Sequence, residues 1–568
     1  MTDRIVAIGD VGGPEYHAGD EALVDVAVAE LRARGYHDIV VVSNEPADTA
    51  GRYGVPAIAP FGFSTTAGPA EDRDRELRLR RVVDGDAEDP AAVALRAAVS
   101  SATGLLVAGG GNLSASWPHL VFERVALSRL AAVHSIPIVF VGQTVGPLLT
   151  SRQSELLAPA FTDAAFVGVR EPLSRTIVHS LARACTPVLH VDDAIAIPLP
   201  EVVPEVVHSL PGAYVALVLH RFTTDPETLA AACDLVRSLH ASSSLPVLLF
   251  PNSGRIGDGT GETSGPDSDV VMARDLCAAV NDSSVLMAAP LLPARELASA
   301  IRTAAAVVST RLHPLVFGLS ANVPCLGLST DFYTATKLDG ALRHAGLPGW
   351  RLPLTAATVP LIGELFAELW ARRGEVADHL GKVTPGWMVD HAVRWDDVAR
   401  TLGGDAGARF SGSAEPGETL APRLDAAVRI RSFDDAANLE LHASQRQFGQ
   451  AEEYAHSLRA TLDRRDDEIL NLRALAGRRE AELAAARAET TRAVDERDRA
   501  EASAHAARVL NGELVAKLAP RDAVALAEAR REELEAVYAT KVWRWSQGPR
   551  RIYRQARTAL RLFRQRSR

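Results

Sequence analysis

At 568 residues, 47% apolar and 23% charged, the chain carries three or four domains' worth of polypeptide and ample material for packed cores. The net charge of −10 hides an asymmetry, because residues 541–568 hold nine Arg, one Lys and no acid, leaving about −20 on the first 540. A body that acidic weighs against nucleic-acid binding, which needs a basic surface to meet phosphates.

Four cysteines (Cys185, Cys233, Cys277, Cys325) lie more than forty residues apart with no C-x-x-C pair, which argues against a zinc site or a disulfide framework and fits a reducing cytosol. Met1-Thr-Asp-Arg leads straight into Ile5-Val-Ala-Ile, too short a stretch for a signal peptide. No window approaches the eighteen apolar residues of a membrane span. The expectation is a cytoplasmic protein.

In chain order, the first 200 residues alternate short apolar runs with helical patterns. Strands are expected at Arg4–Ile8, Ile39–Ser43, Gly104–Ala108, Pro137–Gln143, Ala165–Val169 and Val188–Val191. Between them lie amphipathic stretches such as Asp20–Arg34, where Leu23, Ala27 and Leu31 recur at helical spacing. Near-continuous apolar strands alternating with helices predict a parallel sheet covered on both faces. After a break at Pro198, Pro200 and Pro204 the alternation restarts, with strands at Tyr214–Leu219, Pro246–Phe250, Val285–Ala288, Ala306–Ser309 and Pro324–Leu328. The fold class is therefore α/β with two doubly wound, Rossmann-like lobes, residues 1–200 and 205–400, and a ligand cleft between them at the carboxyl ends of the strands. Ser64–Asp89, rich in charge, and Ser253–Pro266, with five glycines, read as mobile loops. The second is either a lid or a surface insertion.

Residues 401–435 read as a Gly-, Ala- and Ser-rich linker. A coiled coil is expected over 436–540, from a 3-4 spacing that includes Leu458, Leu462, Ile469, Leu472 and Leu483, with Arg465 and Arg479 interrupting the seam. It predicts a homo-oligomer, the alternative being a solvated helix folded back on the body. The tail, 541–568, places Trp543 and Trp545 ahead of a basic amphipathic helix. That pattern suits peripheral contact with an anionic membrane, at its inner face, or a solvated basic end.

Chemistry concentrates at strand ends. Gly9-Asp-Val-Gly-Gly-Pro and then His17-Ala-Gly-Asp20 open a helix after the first strand, without the G-x-G-x-x-G spacing of a dinucleotide site. Asp20 is either a cleft residue or a plain N-cap. Gly109-Gly110-Gly111-Asn112 allows close backbone approach by a ligand or by another element. Gln143 either presents its amide to a hydroxylated substrate or bonds neighbouring backbone. Arg170, at a strand end, offers a planar guanidinium suited to phosphate or carboxylate, or belongs to an Arg170–Glu171 surface pair. Asp192-Asp193 supplies acids for a base or for hydroxyl binding. The strongest feature is Ser309-Thr-Arg311-Leu-His313-Pro314, where Arg, His and a helix start converge as an anion site. The bland alternative there is a core histidine.

Taken together, these motifs resemble the polysaccharide pyruvyl transferase family: His17-Ala-Gly-Asp20, Gly109-Gly-Gly111, Gly142-Gln143 with Gly146-Pro147, Val169-Arg-Glu171 with Ser174, Asp193-Ala194, and Ser309-Thr-Arg-Leu-His313 with Lys337 downstream. The ordered set spans residues 1–345. Two positions depart from the family pattern, Tyr16-His17 interrupting the first turn and His220-Arg221 closing the first strand of the second lobe. The resemblance implies a two-lobed fold like that of the GT-B glycosyltransferases. It also implies transfer of a pyruvyl group from phosphoenolpyruvate to a saccharide of a cell-envelope polysaccharide or its lipid-linked precursor, giving a ketal. On that basis Arg170, Ser309, Arg311, His313 and Lys337 are expected to bind the donor, with Arg311 and His313 catalytic. Asp20, Gly109, Gly110, Gly111, Asn112, Gln143 and Asp193 are expected to line the acceptor side. A positioned His suits the proton transfers, and no metal or cofactor is expected. The alternatives are a nucleotide-sugar glycosyltransferase that uses Arg311 for the diphosphate, and a non-catalytic glycan-binding scaffold built on the coiled coil.

Overall fold

The computed structural model describes residues 3–423, except 14, 67–68, 87–88, 209, 211, 221–225, 257–268, 406–409, 411 and 413–416, together with 479–513 (except 480 and 511), 528 and 530–532. The chain divides into two units, residues 1–458 and 459–568.

The first unit contains two parallel sheets. The first sheet has strands β1 (Ile5–Ile8), β3 (Ile39–Val42), β4 (Ala57–Ile58), β5 (Gly104–Val107), β6 (Gly110–Leu113), β7 (Ile138–Val145), β8 (Phe166–Val169) and β9 (Val188–Leu189), ordered β4-β3-β1-β5-β7-β8-β9 with β6 paired to β7. The second has β10 (Val215–Val218), β11 (Val247–Leu249), β13 (Leu286–Ala288), β14 (Ala306–Ser309), β15 (Cys325–Ser329) and β16 (Arg351–Pro353), ordered β13-β11-β10-β14-β15-β16. Both orders reverse once, between β1 and β5 and between β10 and β14. These are the switch points at which doubly wound sheets leave a crevice beyond their strand ends. All eleven strands expected from the apolar runs form. Their residues are almost wholly buried, as sheets covered on both faces require.

The lobes are joined directly. Strands β2 (Tyr16–His17) and β12 (Ser253–Gly254) pair antiparallel across them. Beside this ribbon the Tyr16 hydroxyl accepts from the Ala294 N–H at 2.7 Å, and Arg295 grips the buried Asp25 through two 2.6 Å bonds.

Ser64–Asp89 differs from its expected loop, because Pro69–Asp84 is helical. Its charges mask a short buried stripe of Leu79 and Val82, and Arg75 is buried with its guanidinium on the carbonyls of Ser64 and Thr66. The second lobe also does not end cleanly. Helix Arg373–Leu402 returns to the first lobe, where Trp395, Val398 and Leu402 join the core built on β1, β3 and β7. The expected linker accordingly begins inside this helix, and beyond it the chain is mostly exposed but fastened at two points. Phe410 stacks on Phe166 with centroids 3.8 Å apart, and the Leu420 carbonyl accepts from Trp350 Nε1 at 2.8 Å. Two apolar side chains in an otherwise Gly-rich stretch are enough to fasten it.

Among the described residues no helix is long and apolar enough to cross a membrane. In the second unit, residues 481–510 are helical and Leu483, Val494, Val509 and Leu510 are exposed. Of the seam expected from Phe448 to Ala493, the part up to Ala476 lies outside the described residues, as do the basic tail 541–568, Arg221, and residues 257–266 of the glycine-rich loop.

Candidate functional site

The site forms where the two switch points face each other. In the second lobe β14 ends at Ser309, whose hydroxyl accepts from the Arg311 N–H at 2.9 Å and donates to the Arg311 carbonyl at 2.7 Å. This brace fixes the turn into helix Leu312–Ser320, in which His313 is the second residue. Ser309 is fully buried, so its hydroxyl shapes the turn. Arg311 Nη2 donates to both oxygens of Asp269 at 2.9 Å, while Nε is buried with no hydrogen-bond partner among the described residues. His313 Nε2 is likewise buried, with no hydrogen bond among the described residues, 3.8 Å from Asp192 Oδ2. Burial, with Arg170, Lys337 and Arg311 nearby, lowers the His313 pKa to about 4 against the pull of Asp192. The ring is therefore neutral near pH 7, which corrects the expectation of a histidine poised to donate a proton there.

Lys337 lies on helix Phe332–His344 one turn beyond Tyr333, its ammonium 3.8 Å from the Tyr333 ring centroid. The Tyr333 hydroxyl crosses to the first lobe and donates to the Gly111 carbonyl at 2.7 Å. Burial lowers the Lys337 pKa to about 7, helped by Arg170 and Arg311 and opposed by Asp20 and Glu171. His220, just beyond β10, is also held below the ordinary histidine value by burial and then by Arg311.

The first lobe supplies Arg170, Asp192 and Asp20. Arg170 is buried, donating to Thr144 Oγ1 at 2.9 Å and to Asp192 Oδ2 at 2.7 Å. It is thus not a surface pair, and much of its charge is met by Asp192. Burial raises the Asp192 pKa, but Arg170 and then His313 outweigh it and hold the carboxyl below its ordinary value. Asp20 is the third residue of helix Ala18–Ala33, whose N-cap is His17, so the N-cap alternative falls. Burial raises its pKa, and Asp10 adds to the rise. A small cavity at the junction is lined by Arg170, Asp192, Leu312, Lys337 and His344 among others.

Three candidates are otherwise engaged. Gln143 donates to the carbonyls of Ala108 and Val141 at 2.7 and 2.8 Å, which is the backbone-bonding alternative. Asp193 is held by the returning helix, accepting from Arg394 Nη2 at 2.5 Å and Trp395 Nε1 at 2.9 Å. Its neighbour Asp192 faces Arg170 and His313 instead, since consecutive side chains in the turn diverge. In the glycine turn, a Cβ on Gly109 would lie 3.1 Å from Leu23, and one on Gly111 would lie 1.8 Å from the Tyr333 hydroxyl. Those two glycines therefore admit packed elements, and Asn112 beside them is buried. Sequence reading missed Asp269, which follows the glycine-rich loop with no motif of its own. It also missed Tyr333, whose signal was its place one helical turn before Lys337.

Gly19 makes a close approach of the lobes possible, because a Cβ there would lie 2.0 Å from His313 Nδ1. Gly19→Ala is expected to destabilise the protein by about 1–3 kcal/mol through overpacking. Gly51→Ala, with nothing within 4 Å, is the control and should be neutral to stabilising. Denaturant midpoints decide, and equal midpoints for the two variants would show that the contact is not tight.

Among the described residues no group of three or more His, Cys, Asp or Glu side chains is placed to hold a metal ion. A family profile described as polysaccharide pyruvyl transferase matches residues 17–332. No protein of curated function matches the chain in sequence. Similar solved structures include a Listeria monocytogenes protein described as a UDP-N-acetylglucosamine 2-epimerase, at 11% identity, TM-score 0.49, covering 73% of this chain and 100% of that one. Os79 from O. sativa matches at 15% identity and TM-score 0.45, covering 70% and 100%. The UDP-GlcNAc 2-epimerase of Methanocaldococcus jannaschii matches at 11% and 0.41, covering 64% and 91%.

Proposed function

The chain belongs to the polysaccharide pyruvyl transferase family, and from that premise we propose that it transfers the pyruvyl group of phosphoenolpyruvate to two hydroxyls of a cell-envelope saccharide or its lipid-linked precursor, forming a ketal. The observation that carries this reading is the pair of buried nitrogens that have no hydrogen-bond partner among the described residues, Arg311 Nε and His313 Nε2, at the start of helix Leu312–Ser320, with Lys337 near enough to interact electrostatically with both side chains. Buried polar atoms without partners are costly in a finished core and ordinary in a site awaiting a ligand. The donor carries a carboxylate and a phosphate, and the site offers Arg311, Lys337 and the helix N–H groups for them. Neutral His313 serves as a hydrogen-bonding ligand to the donor. Arg170 supports the site by orienting Asp192 beside His313.

The test is calorimetry of the full-length protein with phosphoenolpyruvate and, separately, with UDP-sugars, followed by product analysis with saccharide acceptors. Binding of phosphoenolpyruvate and release of inorganic phosphate are expected. Preferential binding of a UDP-sugar with release of nucleoside diphosphate would instead make the protein a glycosyltransferase. Binding of a saccharide with no donor turnover would favour the scaffold.

A further inference from the structure

We propose that Lys337 and Asp20 are the proton-transfer pair of this reaction, Lys337 giving the proton that turns the donor methylene into a methyl group and Asp20 taking one from an acceptor hydroxyl. The inference rests on the pyruvyl-transfer reading above.

Of the chain's 61 basic residues only four are lysines, Lys337, Lys382, Lys517 and Lys541. Arginine binds carboxylate and phosphate at least as well, through a rigid fork, but it does not lose its proton in a protein. A chain that meets nearly every need for a cation with arginine has a lysine at the lobe junction, where the distinguishing property is the capacity to titrate.

The Lys337 ammonium rests on the Tyr333 ring, and Tyr333 is tied across the junction to Gly111. The amine is thereby held at the edge of the first lobe. Asp20 sits beside Gly19, the residue against which the His313 ring abuts. Lys337 and Asp20 act on each other electrostatically, yet among the described residues neither forms an ion pair or a side-chain hydrogen bond. Lys337 also lines the small cavity at the junction, beside Arg170 and Asp192, so its amine borders space open to a substrate. The surroundings of Lys337 and Asp20 move the two groups toward each other. Burial, Arg170 and Arg311 bring the lysine down to about 7 against Asp20 and Glu171, and burial and Asp10 raise the carboxyl against His17, Lys337 and Arg170. Both shifts act in the direction that lowers the cost of passing a proton between the two groups.

The atoms balance. The Lys337 ammonium protonates C3 of phosphoenolpyruvate, the C2–C3 π electrons forming the new C–H bond and leaving an oxocarbenium at C2. An acceptor hydroxyl bonds to C2, and its proton goes to Asp20, which returns it to the Lys337 amine. The C2–O bond to phosphate then breaks with its electron pair leaving on phosphate. The second hydroxyl bonds to C2, and its proton leaves with the phosphate. One hydroxyl proton ends in the methyl group, the other on phosphate, and no oxidant or reductant is needed.

The scarcity of lysine makes the test direct. Full-length protein labelled at lysine Cε gives at most four signals, and Lys337→Arg identifies the one that matters. That signal is expected to titrate near 7, and Asp20→Asn should shift its midpoint lower, because the carboxylate favours the ammonium. In D2O the wild type should wash deuterium into C3 of recovered phosphoenolpyruvate. Lys337→Arg should still bind phosphoenolpyruvate by calorimetry while exchanging on the order of 10²–10⁴-fold more slowly, the usual span for loss of a general acid. A Lys337 signal that titrates like an ordinary lysine, unimpaired exchange in Lys337→Arg, or binding without exchange in the wild type would each overturn the pair. A wild type that binds no phosphoenolpyruvate would overturn the donor reading and the reaction with it, a result distinguishable because it appears before any variant is made.

Discussion

Arg311→Lys should lower kcat/KM for phosphoenolpyruvate by about 2–4 kcal/mol, scaled from the loss of a single oxyanion donor. Arg311 serves two directions at once, with Nη2 on both oxygens of the fully buried Asp269 and Nε buried without a partner among the described residues. A lysine carries the same charge at one point, so it can neutralise Asp269 or reach the ligand, but it cannot do both. Keeping the charge also keeps Asp269 compensated, which separates catalytic loss from unfolding. Initial rates of phosphate release against donor concentration, beside a denaturant curve, check this. An equal fall in kcat and kcat/KM would place the lost contact in the transition state, and a rise in KM alone would place it in donor binding. Turnover within about threefold of wild type at unchanged stability, well below the expected loss, would remove the fork from the site.

Asp193→Ala should destabilise the protein by about 3–5 kcal/mol, the usual cost of breaking a buried pair and leaving one charge uncompensated. Asp193 and Arg394 are 2% and 3% exposed, and the same carboxylate oxygen also accepts from Trp395 Nε1. The Asp193 carboxylate fastens the returning helix to the first lobe, so a substantial fraction of a typical domain's net stability of about 5–15 kcal/mol is engaged. The pH dependence has two limbs. Burial raises the Asp193 pKa, but Arg394, His391 and His190 hold the carboxyl well below its ordinary value. Its contribution is therefore present above the unfolded carboxyl value and lost as pH falls through the folded one. His391, between Asp193 and Glu30, behaves in the opposite sense. Burial lowers its pKa, but the bonds to Asp193 and Glu30 outweigh that and raise it. Its stabilisation is complete below the unfolded histidine value and is lost as pH rises through the folded value. Asp193→Asn should flatten the acid limb and weaken the neutral one, as read from denaturant midpoints between about pH 3 and pH 8. A midpoint for Asp193→Ala that differs from wild type by less than about 1 kcal/mol would show that the contact is not what secures the helix.

The sequence by itself determined the architecture of the first unit and the chemistry of one turn. Apolar runs such as Ile39–Val42 and Ala306–Ser309 are buried on both faces, and only parallel strands under helices meet that demand, so strand positions and lobe count were legible from local pattern. Arg311 and His313 were legible because a strand end, a basic pair and Pro314 fall within six residues. What the tertiary structure decided is which acids meet which bases. Asp192 and Asp193 are adjacent and chemically identical, yet one faces Arg170 and the other faces Arg394, about 200 residues downstream. Asp269 carries no motif and becomes the partner of Arg311 only when β12 brings its neighbourhood beside the β14 turn. The helix Pro69–Asp84 was hidden because a buried arginine on backbone carbonyls looks, in sequence, like another surface charge. The same limit applies to His313 and Lys337. Residue type alone favours histidine as the group that titrates near neutrality, and burial among Arg170 and Arg311 gives that place to the lysine. Desolvation and through-space charge set a pKa, and neither is local in sequence.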